Sequence, residues 1–201
     1  MIAILDYGSG NLRSAQRACE ETGQKVIVTS EYERALSADG LVVPGVGAFG
    51  ACMEGLRKVN GASLIRERIS EKRKILGICV GMQILFESSK ESRGSSEPDG
   101  VGIFPGKVTK LSAPVIPHIG WNTVSAPSDS VIFKGIENER FYFVHSYAAH
   151  EKVPHSLNSQ TSYGSTFLAA VESESISAVQ FHPEKSGLPG LQLIKNWAAT
   201  L

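Results

Sequence analysis

Few cysteines, no charge imbalance and no long apolar run mark this 201-residue chain. The three cysteines, at positions 19, 52 and 79, are odd in number and show no Cys-x-x-Cys spacing. That disfavours a disulfide framework or a structural zinc and suits a reducing, cytoplasmic setting. Twenty basic residues balance twenty acidic ones, so no charge excess recruits nucleic acid or an anionic membrane surface. The apolar opening Met1-Ile2-Ala3-Ile4-Leu5 lacks a basic flank and is far too short for a signal or membrane segment; it reads as a first buried strand. No repeat or linker is visible, and the length and 42% hydrophobic content predict one domain over residues 1–201 with one core.

The pattern along the chain predicts an α/β fold. Leu12, Ala15, Cys19 and Thr22 recur at helical spacing, with Gly23 placed to end the helix before a strand over Lys25 to Thr29. Leu41-Val42-Val43 reads as a third strand, residues 48–72 as helical, and Ile75 to Cys79 as a fourth strand. Continuous apolar strands alternating with helices imply a mostly parallel sheet covered on both faces. Residues 88–100 are polar and predict a surface loop; Pro-punctuated segments around 101–124 and 140–147 predict short strands, some antiparallel. Phe167 to Val171 and Ser177 to Phe181 complete the strands, and Leu191 to Leu201 predicts a closing helix.

The most informative motif is Gly77-Ile78-Cys79-Val80-Gly81, which follows an apolar run and precedes Met82-Gln83-Ile84-Leu85-Phe86, read as the start of a helix. This is the sequence form of a nucleophile elbow, where glycines let strand and helix pass closely and the nucleophile stands above the sheet. With 20 glycines in the chain, chance flanks a given cysteine this way about once in 100. A buried structural cysteine is the competing reading. His182-Pro183-Glu184 supplies a base and its orienter, since residues two apart in an extended segment project to one side. Together they predict a Cys79-His182-Glu184 triad.

Gly45-Val46-Gly47-Ala48-Phe49-Gly50 matches the dinucleotide fingerprint G-x-G-x-x-G. It follows the third strand rather than the first, and no acidic residue closes the next strand. Its glycines fit better beside the elbow, where amides of the Pro44-Gly45-Val46-Gly47 loop, with that of Val80 as a second donor, would form an oxyanion hole. No cofactor or metal is expected.

Gly-x-Cys-x-Gly-x-Gln with a distant His-Pro-Glu resembles the class I (triad) glutamine amidotransferases. Asp6-Tyr7-Gly8-Ser9-Gly10-Asn11, Pro44-Gly45-Val46-Gly47, Gly120-Trp121-Asn122 and His182-Pro183-Glu184-Lys185-Ser186 look, within that family, like the glutaminase subunits of imidazole glycerol phosphate synthases. The resemblance implies a flavodoxin-like, doubly wound domain that hydrolyses glutamine and passes ammonia to a separate (β/α)8-barrel cyclase subunit, as a heterodimer, for histidine biosynthesis. It implies an oxyanion site at Gly47 and Val80, substrate contacts from Gln83, Glu91, Ser146 and Tyr147, and a partner interface that includes Asn11, Trp121, Asn122 and Lys185. Val80 stands where the family usually has leucine, but the implied role uses only its backbone. Two alternatives stay open at this level: a glutaminase serving another synthase, such as that for pyridoxal phosphate, and a noncatalytic or redox protein in which Cys79 is oxidised.

Overall fold

The computed structural model describes residues 1–91 and 97–201. The first half alternates strands and helices: β1 (Ile2–Leu5), α1 (Leu12–Glu20), β2 (Val26–Thr29), α2 (Tyr32–Ser37), β3 (Gly40–Gly45), α3 (Phe49–Lys58), α4 (Gly61–Ser70) and β4 (Lys74–Cys79). A four-residue helix α5 (Val80–Gln83) follows, then β5 (Phe86–Ser89), β6 (Phe104–Lys110), β7 (His118–Thr123), β8 (Arg140–His145) and β9 (Tyr147–Ala149). The chain ends with β10 (Leu157–Tyr163), β11 (Ser165–Glu172), β12 (Ile176–Val179), a 3-10 turn (Pro183–Lys185) and α6 (Gly187–Ala198).

The central sheet runs β10-β11-β12-β4-β3-β1-β2. Its five strands β2-β1-β3-β4-β12 are parallel, in the flavodoxin-like order, and β11 and β10 add antiparallel edges. β1, β3 and β4 are buried nearly throughout, as expected of strands covered on both faces. Two small sheets, β5-β6-β9 and the antiparallel ribbon β7-β8, stand beside it. The flavodoxin-like, mostly parallel fold with antiparallel strands in the later half agrees with expectation.

Several elements differ from the sequence reading. The helical stretch 48–72 is two helices, divided at Asn60, which adopts a left-handed φ of 53°. α2 and β10 are additional elements. Only Val80–Gln83 is helical after the elbow: Leu85 N bonds Met82 O, and Leu85 O then accepts from the amides of Ile103 and Phe104. Ile84, Leu85 and Phe86 are buried on every side, so the run serves as a link into β5 rather than as one face of a helix. The predicted 88–100 loop is partly structured, because Ser88 and Ser89 belong to β5 and Ser88 bridges Asp99; residues 92–96 of that prediction lie outside the described residues.

Candidate active site

β3 and β4 pair so that Gly45 lies opposite Cys79 at their carboxyl ends. Cys79 has φ 55° and ψ −112°, a conformation that L-residues avoid and that persists only where surrounding packing imposes it. The packing here leaves no alternative. A Cβ at Gly81 would run into the carbonyl oxygen of Val43, and one at Gly77 would come within 2.9 Å of the Gly81 carbonyl oxygen. Both glycines are therefore required by the crossing of β4, α5 and β3, as the elbow reading predicts.

β12 runs beside β4 with Val179 opposite Ile78, and the chain continues through Gln180 to His182. The amide of His182 donates to the Tyr142 carbonyl at 2.9 Å. The fully buried Ser186 donates its hydroxyl to the His182 carbonyl at 2.7 Å and accepts from the Tyr142 amide at 2.9 Å. These bonds fasten the turn to β8. His182 is extended, but Pro183–Lys185 is a 3-10 turn, so the turn, not an extended alternation, brings Glu184 back. Glu184 Oε1 lies 2.7 Å from His182 Nδ1, and both side chains are almost fully buried.

Burial opposes charge on His182, but hydrogen bonds and Coulombic attraction from Cys79 and Glu184 outweigh it and raise the imidazole to about 10. A carboxylate on Nδ1 fixes the tautomer and leaves Nε2 to serve Cys79. His145 behaves oppositely. Burial, reinforced by the nearby His118 and His182 and only partly offset by the Tyr147 carbonyl, lowers it to about 4, so it stays neutral. Its Nδ1 meets the Tyr147 carbonyl at 2.9 Å and must donate, so Nε2 accepts from His118 Nδ1 at 3.1 Å.

Cys79 and His182 open onto a cavity of about 400 Å³, large enough for an amino-acid substrate. Gly47, Val80, Gln83, Glu91, Ser146 and Tyr147 all line it, as does Lys185. Glu184 stands behind His182, as an orienter would. Glu91 accepts from the Phe49 amide at 2.8 Å, which fixes its carboxylate at the start of α3. Gln83 donates to the Tyr147 carbonyl at 2.8 Å and to Gln180 at 3.0 Å.

The loop after β3 is held from behind. Ser9 Oγ bonds both the amide (3.1 Å) and the carbonyl (3.0 Å) of Val46, and Cys52 Sγ lies 3.3 Å from the same carbonyl. In a trans peptide the N–H points opposite to the C=O, so this clasp turns the Gly47 N–H away from Ser9 and Cys52. Tyr7, whose phenol burial pushes up, hydrogen-bonds the Pro44 carbonyl in the same loop. The N-terminal motif thus positions the candidate oxyanion loop.

The remaining sites expected from sequence lie elsewhere. Asn11 accepts from the Ser14 amide and caps α1. Asn122 bonds the Ser162 carbonyl and the Thr123 amide. Trp121 is 47% exposed beside Ile119 at 59% on β7, so that tryptophan lies outside the core. The sequence reading passed over Ser9, Cys52, His118, Gln180 and Ser186 as individual site residues; the signal for Gln180 was a polar side chain inside an apolar strand two positions before the base. Among the described residues, no group of three or more His, Cys, Asp or Glu side chains is arranged to hold a metal, and no helix is long and apolar enough to cross a membrane.

Residues 3–200 match the family model described as glutamine amidotransferase class-I. The chain is 54% identical over 203 residues to a protein of Mycolicibacterium paratuberculosis named imidazole glycerol phosphate synthase subunit HisH, covering 100% of this chain and 98% of that one. It is 53% identical to the protein of the same name from Thermobifida fusca, covering 100% and 98%. Among solved structures, a "glutamine amidotransferase" superposes with a TM-score of 0.75 at 17% identity over 98% of both chains. The structure titled PurLQS from Thermotoga maritima gives 0.73 at 18%, over 99% of this chain and 97% of that one. At these identities the structures speak to the fold alone. The matched model spans both the elbow and the His182 turn, and on sequence and fold together the chain belongs to the class I glutamine amidotransferases.

Proposed function

We propose that this chain is the glutaminase subunit of an imidazole glycerol phosphate synthase, and that Cys79, His182 and Glu184 carry its chemistry. The observation that carries the reading is the 54% identity, over the whole length, to subunits of that name. Those relatives favour this synthase over the one that makes pyridoxal phosphate, and family membership weighs against a noncatalytic redox protein.

In this reading the Cys79 thiolate attacks the side-chain carbonyl carbon of glutamine, forming a C–S bond and a tetrahedral oxyanion that accepts from the amides of Gly47 and Val80. The C–N bond breaks as His182 gives its proton to the departing ammonia. Water, deprotonated by His182, then attacks the thioester, releasing glutamate and regenerating the thiolate. Glu184 holds the imidazole throughout. Glu91, Gln83 and the Ser146-Tyr147 backbone surround the amino-acid end of the substrate.

A one-domain glutaminase has no acceptor for ammonia, and ammonia freed into water is protonated and lost as a nucleophile. A dry junction with a (β/α)8-barrel cyclase subunit answers that need, with Asn11, Trp121, Asn122 and Lys185 on the facing surface. We further propose that the free chain is nearly inactive because the Gly45-Val46-Gly47 amides, that of Val46 being taken up by Ser9, come fully into line only when the loaded partner shifts the loop. The test is glutamate release from glutamine by the chain alone, and by the chain mixed with a cyclase subunit and its nucleotide substrate, with Cys79→Ala as control. Release that requires both partner and Cys79 supports the assignment; equal turnover without partner overturns the coupling, and silence from a folded mixture overturns the assignment.

A further inference from the structure

Gln180 is fully buried and had no role in the chemistry above. Its side-chain nitrogen lies 3.7 Å from Cys79 Sγ, within reach of an N–H to sulfur hydrogen bond. Amide orientation follows from the network around it rather than from shape, and this network allows one assignment. The Tyr147 carbonyl only accepts, so the Gln83 atom 2.8 Å away is Nε2. That Nε2 also lies 3.0 Å from Gln180, so the Gln180 atom it meets is Oε1. Gln180 Nε2 is thereby left facing the sulfur. Reversing the Gln180 amide would set N–H against N–H on one side and oxygen against a thiolate on the other.

We propose that Gln180 is a further catalytic residue, donating a hydrogen bond to the Cys79 sulfur and stabilising it as the attacking thiolate and again as the leaving group when the thioester is hydrolysed. This rests on Cys79 being the nucleophile. The chemistry needs such a donor because His182 cannot serve the sulfur continuously. In each half-reaction its proton is directed at the departing ammonia or taken from the attacking water rather than held on the sulfur, whereas a primary amide does not titrate and stays a donor throughout. The backbone supports the aim: the Gln180 amide donates to Ala169 at 2.8 Å, locking the residue in line with β12. Other titratable or charged groups near the sulfur are His182 with Glu184 behind it, the neutral His145, Tyr7 and Cys52, and Glu91 and Lys185 across the cavity.

The experiment compares Gln180→Glu, which keeps the shape and replaces the donor with an acceptor, and Gln180→Leu with the unaltered chain. In complex with the cyclase subunit, kcat for glutamine is expected to fall about 10- to 100-fold, the loss typical of one hydrogen bond to a charged group, with KM moving less than about threefold. In the chain without partner, Cys79 alkylation by iodoacetamide should slow at neutral pH and its profile move to higher pH, which loss of packing alone would not produce. In the unaltered chain, the Gln180 side-chain amide proton resonance should move upfield on Cys79→Ala. Folded variants with unchanged turnover and alkylation would overturn the assignment, and if the variants fail to fold, an amide resonance indifferent to Cys79→Ala would do so. Full turnover in Cys79→Ala would instead remove the nucleophile itself, separating failure of the underlying reading from failure of this one.

Discussion

At the scale of single residues, the site is a set of side chains whose protonation and polarity are fixed by neighbours. His182 carries the clearest pH signature. Its folded value, raised from 6.5 to about 10, means that the folded chain binds this proton more tightly than the unfolded chain. The resulting stabilisation is fully present below about pH 6.5 and is lost as pH rises toward 10. Glu184→Gln removes one of the raising partners. It should lower the His182 titration followed by imidazole NMR, shrink the stability difference between pH 6.5 and 10 in urea unfolding, and slow glutamine hydrolysis about 10- to 100-fold. The candidate triad was legible in the sequence because Gly-x-Cys-x-Gly and His-Pro-Glu are short-range patterns. Ser9, Cys52 and Gln180 were not legible as a group, because their roles arise from contacts of the loop after β1 and of α3 with the loop after β3, and of the residue after β12 with Cys79 and Gln83, that no local spacing encodes.

At the scale of elements, the parallel strands were readable because burial on both faces leaves unbroken apolar runs. The helix after the elbow was read as continuing through Phe86 and β5 was missed, because an apolar run of that length suits either state, and pairing with β6 decided it. The elbow itself makes a sharp prediction. Gly81→Ala places a methyl against the Val43 carbonyl, so the variant should lose at least about 2 kcal/mol of stability and nearly all turnover, read by urea unfolding and glutamate release. Arg68 governs the opposite end of the sheet. Fully buried on α4, it donates to the carbonyls of Ala35, Leu36, Ala38, Asp39 and Lys74, closing the end of α2 against the starts of β3 and β4. Burial, with Arg73 nearby, lowers it only to about 10, so it remains charged. Arg68→Ala strands those carbonyls and should cost about 3–5 kcal/mol, read as a fall of several degrees or more in Tm, with the cavity residues untouched.

At the scale of the whole molecule, the proposed complex makes the cavity mouth and the β7-β8 ribbon the surfaces to test. Ile119 and Trp121 project from one face of β7, exposed by 59% and 47%, and Trp121 packs edge-on against Tyr142. Replacing them should leave folding nearly unchanged while weakening the proposed complex. Trp121→Ala combined with Ile119→Asp is expected to raise the cyclase Kd at least about 30-fold, the scale of a lost hot spot, by calorimetry, with the far-UV spectrum and Tm of the free chain unaltered. Sequence alone could place Trp121 only through the family resemblance, since tryptophan is usually buried and exposure is a property of the assembled surface.

The buried Arg68 has a consequence for how this protein can change over time. It ties the amino ends of β3 and β4 to α2, while the carboxyl ends of the same strands hold the strained Cys79 and the clasped loop. Robustness and reactivity are thus lodged at opposite poles of one sheet. A lineage moving to a warmer habitat can reinforce the arginine pole without stiffening the reactive one, so heat adaptation and catalytic tuning are open to separate evolutionary histories.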